Sequence, residues 1–86
     1  MTHPRKEFYA TLNGHPCWAY RDAKWKVWMV GGDFVQSDQV VQILAKKNGR
    51  LGWHTLRNGF LIFSDFASAD ELAQADEFLK ARKAAQ

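Results

Sequence analysis

Alternating apolar and polar side chains mark the first regular structure in the chain. Residues 7–12 alternate up to Asn13-Gly14, the dipeptide that most strongly favours a two-residue hairpin turn. A turn there pairs Tyr9 with Trp18, and it leaves Pro16 where no hydrogen bond to the partner strand is lost. One predicted face carries Phe8, Ala10, Leu12, Cys17 and Ala19, and the other carries Tyr9, Thr11, Trp18 and Tyr20.

A second hairpin is predicted within residues 17–30, where strand formers lie on both sides of the polar residues 21–24. An even loop, such as Asp22-Ala23, places Trp25, Val27 and Met29 on the face of Trp18. An odd loop over residues 22–24 instead groups those three with Cys17 and Ala19, and it brings Lys26 and Trp28 beside Tyr9, Trp18 and Tyr20. We favour the odd loop because it separates an apolar face from an aromatic, basic one. A shift of one residue exchanges the two faces.

Residues 33–48 have the spacing of an amphipathic helix. Asp33 or Ser37 is a suitable N-cap, and Asn48-Gly49 is a suitable stop. The predicted apolar stripe consists of Val40, Val41, Leu44 and Ala45. A second helix is predicted from Ser68 onward, because Ser68 and Glu71 have the spacing of a capping box. Its apolar stripe consists of Leu72, Ala75, Phe78 and Leu79.

Between these helices, residues 50–64 predict another hairpin with its turn at Asn58-Gly59, which gives five pairs, from Arg57–Phe60 through His54–Phe63 to Trp53–Ser64. Both of its faces are substantially apolar, and a chain of 86 residues can seldom cover both faces of a sheet. We therefore expect one face to contact a second copy, which predicts a homodimer. The element order β-β-β-α-β-β-α predicts a single α+β domain, with an antiparallel sheet of about five strands and two helices packed on it.

The composition places the chain among small folded domains. Hydrophobic residues make up 47% and aromatic residues 14%, which excludes a disordered chain. We expect a flexible polar arm over residues 1–6, one domain over residues 7–86, and no signal peptide. The single cysteine excludes an internal disulfide, and no apolar run is long enough to span a membrane. The expected location is the cytoplasm, without a membrane partner.

Candidate chemistry is sparse. His15, Cys17 and His54 are the only plausible metal ligands outside the N-terminal arm, and their spacing is not that of a zinc site. The glycines do not form a phosphate-binding loop, and the late carboxylates are typical of a helix N-terminus and a solvated helix face. We therefore expect no enzymatic activity, no metal and no cofactor.

The charge is unevenly distributed. Residues 1–60 carry nine Lys or Arg against four acids, a balance of +5, and residues 61–86 carry three against five, a balance of −2. The sum is the net charge of +3. Aromatic residues beside basic ones are typical of surfaces that stack single-stranded nucleic acid. The predicted binding residues are Tyr9, Trp18, Tyr20, Lys26, Trp28, Lys46, Lys47, Arg50 and Arg57.

Three functions follow as expectations. The first is a non-enzymatic module that binds nucleic acid through this aromatic, basic face. The second is a protein-interaction module, such as an inhibitor or adaptor of the kind that phages and other mobile elements often carry, with exposed aromatic residues that dock on a partner. The third is an aromatic pocket for a small ligand, between sheet and helix or across a dimer.

Overall fold

A computed structural model describes residues 6–85, in which seven strands precede one helix. The elements are β1 (Phe8–Leu12), β2 (His15–Asp22), β3 (Val27–Val30), β4 (Asp33–Phe34), β5 (Val41–Lys47), β6 (Arg50–Arg57), β7 (Phe60–Phe66) and α1 (Ala69–Ala85). The strands form one antiparallel sheet in the order β4-β3-β2-β1-β5-β6-β7. An α+β domain with an antiparallel sheet is confirmed, but the prediction of five strands and two helices is wrong. The arm predicted at residues 1–6 lies outside the described residues, apart from Lys6.

The first hairpin has the predicted register. Tyr9 lies opposite Trp18, and Thr11 lies opposite Pro16. Asn13 has a φ of 51° and Gly14 a φ of 81°, as a two-residue turn of type I′ requires. The two faces of β1 and β2 are therefore those that the sequence indicates.

The loop between β2 and β3 has four residues, 23–26, and is therefore even. The Asp22 carboxylate accepts hydrogen bonds from the backbone amides of Lys24 (2.9 Å) and Trp25 (2.8 Å). The Lys26 amide donates to the Asp22 carbonyl oxygen at 2.8 Å, and Lys26 has a φ of 57°. Asp22 thus closes the turn with its side chain, and the loop needs no glycine.

The predicted odd phase of this hairpin is wrong. Trp28 lies opposite Arg21, which places its side chain on the face of Ala19, and Met29 lies opposite Tyr20. Met29 is buried, but on the face of Tyr20 instead of the predicted face of Cys17 and Ala19. Trp25, which the odd loop places on the apolar face with Cys17 and Ala19, is instead 61% exposed in the loop.

The helix predicted over residues 33–48 is also wrong. This segment contains the two-residue strand β4, a loop over residues 35–40, and the seven-residue strand β5. Val41 and Ile43 point to one core, and Leu44 points to the other, which is the alternation of a strand buried on both faces. Asn48-Gly49 is a third hairpin turn, between β5 and β6.

The β6–β7 hairpin has its turn at Asn58-Gly59, and its first four pairs, from Arg57–Phe60 to His54–Phe63, are confirmed. The fifth predicted pair is wrong, because Trp53 lies opposite Asp65 instead of Ser64. This shift is a β-bulge, which locally bends and twists the strands.

Helix α1 begins with the predicted capping box. The Glu71 amide donates to the Ser68 hydroxyl oxygen at 3.2 Å, and the Ser68 amide donates to the Glu71 carboxylate at 2.8 Å. The pKa of Glu71 is lowered, mainly by this Ser68 amide and less by the nearby indole N–H of Trp53. That buried N–H has no hydrogen-bond partner of good geometry among the described residues. No helix within residues 6–85 is long and apolar enough to cross a membrane.

Two cores lie on the two faces of the sheet. The helix-side core contains Tyr9, Leu44 and Ala75, with the predicted stripe of α1 packed against it. The other core is centred on Ala10, Ala19, Val30, Val41 and Ile43. Trp28 of β3 and Leu56 of β6 pack on this second core and also line one and the same cleft. These strands are four positions apart, about 19 Å in a flat sheet. The sheet therefore curls around the second core, and we call this side its concave face.

Candidate binding cleft

A half-open cleft of about 530 Å³ lies at the margin of the concave face. It is bounded by β3 and β4, by the loop over residues 35–40, and by the end of β6 with its turn. Its apolar lining includes Trp28, Val41 and Leu56, all of which belong to the concave core. The volume lies within the range of about 300–1,000 Å³ that is usual for ligand sites.

The polar part of the cleft lining carries little charge. Gln36, Gln39 and Asn58 contribute amide groups, and the Gln39 side chain accepts a hydrogen bond from the Gln36 backbone amide at 2.8 Å. Among the described residues that line the cleft, Arg57 alone carries a formal charge, and it is exposed. The cleft therefore offers an apolar lining with one cationic group at its edge.

Large apolar residues at and beside this cleft are exposed, among them Phe34 of the edge strand β4, which lies opposite Met29. Phe34 and Val40 line it and are 53% and 59% exposed. Trp25 contacts Phe34 edge to face, with 6.3 Å between ring centroids. The Lys24 ammonium lies 5.5 Å from the Trp25 ring centroid. We call Trp25, Phe34 and Val40 the rim patch.

The turns of the neighbouring strands hold the rim patch in place. Gly31 and Gly32 have φ values of 62° and 87°, and they reverse the chain so that β4 pairs with β3. On the other side of the loop, the Val40 amide donates to the Asn13 side-chain oxygen at 2.8 Å. The Asn13 amide donates back to the Val40 carbonyl oxygen at 2.8 Å. The first hairpin turn therefore anchors the end of this loop.

Three of the predicted binding residues lie on the helix side of the sheet. Tyr9 is 6% exposed and contacts Trp53 and Phe78 edge to face. Tyr20 is also 6% exposed, and its ring stacks on Trp18 at 6.0 Å. Trp18 is half-buried, and the Arg82 guanidinium of α1 covers its ring at 3.8 Å. The ring faces expected to stack bases are thus occupied within the protein.

Two further predicted residues, Trp28 and Arg57, line the cleft on the concave face. Trp28 packs edge to face on Phe8, with 5.3 Å between ring centroids. Lys26 is exposed at the end of the β2–β3 loop. The single aromatic, basic face predicted from the sequence therefore does not form, because Trp28 and Trp18 lie on opposite faces.

The remaining predicted residues surround the β5–β6 turn. Lys46, Lys47 and Arg50 are exposed. The Lys47 ammonium lies 5.8 Å from the Phe63 ring centroid, and the Arg50 guanidinium lies 4.2 Å from that of Phe66. These cations form a separate group that does not line the cleft.

Within the described part of the chain, His15, Cys17 and His54 do not gather around one point. Within residues 6–85, no three His, Cys, Asp or Glu side chains come close enough to hold a metal ion. His54 is buried, and its Nδ1–H donates to the Gly52 carbonyl oxygen at 3.0 Å. Its ring contacts Phe63 edge to face at 5.5 Å. His54 therefore has a packing role in the concave core.

Comparison of the chain with protein-family models, with curated proteins and with solved structures finds no match. The cleft and the rim patch are therefore the features that bear on function. Trp25, Phe34 and Val40 are not among the binding residues predicted from the sequence. Two sequence features could have corrected the prediction. Asp22 can close the β2–β3 loop with its side chain, which would have predicted an exposed Trp25. Asn48-Gly49 favours a hairpin turn, which would have predicted a strand over residues 41–47.

Proposed function

We propose that this protein is a non-enzymatic protein-interaction module whose cleft and rim patch receive an apolar segment of a partner protein. The observation that carries the proposal is the exposure of Trp25, Phe34 and Val40 around an apolar cleft. Small soluble domains rarely leave neighbouring large apolar side chains in water unless the patch is used. Aromatic side chains at the edge of a pocket are also the residues that dominate protein interfaces.

A macromolecular partner accounts for the rim patch better than a small ligand does. A small ligand is buried inside a concave site, so its binding would leave Trp25, which does not line the cleft, in water. A partner surface laid across the cleft would cover the rim and fill the apolar lining together. Arg57 at the edge would then favour a partner segment with a carboxylate next to its apolar residues.

The charge around the cleft also favours a protein partner over nucleic acid. Residues 21–40 contain three aspartates against Arg21 and two lysines, and Arg57 brings this region to a balance of only +1. Phosphate recognition needs a local excess of positive charge. Self-association, which the sequence also predicts, is a separate proposal that concerns a different surface.

A peptide-display selection tests this function. A random peptide library is selected on the wild-type protein, and the enriched peptides are measured against Phe34→Ser by fluorescence anisotropy. We expect peptides with two or more apolar residues beside an acid, and a loss of about 30-fold in affinity for Phe34→Ser, equivalent to about 2 kcal/mol.

Phe60→Ser is the matched control, because Phe60 is 73% exposed but does not line the cleft. Its affinity for the selected peptides should equal that of the wild type. Arg57→Ala should weaken the binding of acidic peptides and lower the salt dependence of that binding. Equal binding of the peptides to Phe34→Ser and to the wild type would refute the proposed site.

A further inference from the structure

The free edge of β7 carries a second, independent surface. β7 is the last strand in the sheet order, and it pairs only with β6 among the described residues. Phe60 and Ile62, which point to the helix side of the sheet, are 73% and 50% exposed. Residues 60–63, which lie on the turn side of the β-bulge, contain no charge and no proline, two of the features that keep an edge strand from pairing with another chain.

The register of the β6–β7 hairpin determines which backbone groups this edge offers. Arg57 and Phe60 flank a two-residue turn and therefore form a hydrogen-bonded pair. Pairs alternate along an antiparallel ladder, so Ile62 also bonds to β6, whereas Leu61 and Phe63 direct their N–H and C=O groups away from β6. Two residues, each with one free donor and one free acceptor, thus lie along the edge.

We infer that two copies of this chain pair through β7, antiparallel, about a two-fold axis at Ile62. In this register Leu61 of each copy lies opposite Phe63 of the other, and both pairs exchange two backbone hydrogen bonds. Ile62 lies opposite its own copy at a non-hydrogen-bonded position, where Cα atoms are about 4.5 Å apart and side chains are in contact. Phe60 lies opposite the small Ser64, which leaves space for its ring.

The opposite edge of the sheet does not offer the same possibility. β4 has only two residues, and one of them is Asp33. Pairing through β7 instead produces one continuous sheet of two copies, with both α1 helices on the same side. The contact is small, since it joins one strand and two exposed side chains per copy. We therefore expect a dissociation constant on the order of 100 μM, as for other interfaces below the standard size.

Sedimentation equilibrium up to about 1 mM tests this pairing. The wild type should dimerise, and Ile62→Lys should weaken the dimer by roughly tenfold or more, because two lysines would meet at the axis. A mixture of Ile62→Lys and Ile62→Glu should associate at least as well as the wild type, because opposite charges then face each other. A monomeric wild type at about 1 mM, or a mixture that fails to associate, would overturn the inference.

Amide hydrogen exchange gives a second measurement that needs no variant. Protection of the Leu61 and Phe63 amides should rise with protein concentration, while protection of the Ile62 amide, already bonded to β6, should not change. If the protection of the Leu61 and Phe63 amides does not change with protein concentration, the pairing is contradicted. Trp25→Ser is the control that separates this surface from the rim patch, and loss of the dimer in that variant would also overturn the inference.

Discussion

Gly52 is the residue whose missing side chain makes room for Phe63. A Cβ atom at position 52 would lie 2.6 Å from Cε1 of Phe63 and 3.0 Å from the Asp65 carbonyl oxygen. The Phe63 ring cannot easily move away, because it contacts His54 at 5.5 Å and Phe66 at 4.9 Å. Glycine is thus required at this position in β6 by packing, although its backbone is not in the left-handed region.

We predict that Gly52→Ala lowers the free energy of unfolding by about 1–3 kcal/mol, as measured by urea denaturation. The cause is overpacking against the Phe63 ring, so adding Phe63→Leu should recover part of the loss. Gly49→Ala is the comparison, since it has open space but a φ of 85° and should cost about 1 kcal/mol from the backbone alone. Unchanged stability of Gly52→Ala would show that the strands separate easily.

At the scale of elements, Arg82 joins α1 to the first hairpin. Its guanidinium donates two hydrogen bonds of 3.0 Å to the Glu7 carboxylate, and it lies 3.8 Å from the Trp18 ring centroid. Both charged side chains are about three-quarters buried, with 24% and 25% of their side-chain surface exposed. A planar, bidentate contact of this kind is specific to arginine.

We predict that Arg82→Ala destabilises the protein by roughly 1–2 kcal/mol, since it removes both the ion pair and the stacking on Trp18. Arg82→Lys keeps the charge but loses the bidentate hydrogen bonds to Glu7 and the planar contact with Trp18. It should therefore recover only a small part of the lost free energy of unfolding. Lys83→Ala, exposed in the same turn, should change the free energy of unfolding by less than about 0.5 kcal/mol. Equal values for Arg82→Ala and Lys83→Ala in urea denaturation would contradict this role.

At the scale of the whole molecule, positive charge and accessible aromatic surface lie in different places. The exposed cations Lys46, Lys47 and Arg50 surround the β5–β6 turn, while the rim patch lies beside the cleft. Two cations of the turn already cover the rings of Phe63 and Phe66. Phosphate contacts and base stacking would therefore not act on the same oligonucleotide segment.

We predict that single-stranded DNA or RNA binds at low salt through phosphate contacts alone. Lys46→Ala with Lys47→Ala should lower the salt slope by about 1.4, from about 0.7 per phosphate contact. Trp28→Leu, which keeps an apolar side chain beside Phe8, should leave the affinity unchanged in fluorescence anisotropy. A loss of tenfold or more in Trp28→Leu would instead indicate base stacking on this residue.

The sequence predicts correctly those parts of the fold that a few neighbouring residues determine. Asn13-Gly14 and Asn58-Gly59 define the register of their hairpins, and the Ser68–Glu71 capping box defines the start of α1. The bulge at Trp53 lies next to Gly52, and no local pattern of apolar residues encodes it.

The errors in residues 33–48 and in the β2–β3 loop have one physical origin, a pattern that two structures satisfy equally. The spacing of Val40, Val41 and Leu44 fits a helix stripe, and it also fits a strand buried on both faces. In the β2–β3 loop, a side-chain bond from Asp22 decides between even and odd lengths. The length of this loop determines that Trp28 lies in the cleft and that Trp25 is exposed to solvent. The candidate site could therefore not be predicted from the sequence.

The three residue pairs that join β1 to β5 have a consequence for folding kinetics. Ala10–Ile43, Thr11–Gln42 and Leu12–Val41 connect two meanders, β1–β4 and β5–β7, in which every neighbour along the sheet is also the next strand along the chain. Hairpins of that kind close in about 1–10 μs. The β1–β5 pairing instead closes a loop of some thirty residues, and α1 returns from the far end of the chain to Tyr9. Folding should therefore be limited by the joining of two preformed halves, so substitutions at Ile43 should slow refolding and those in β3 or β7 should mainly speed unfolding.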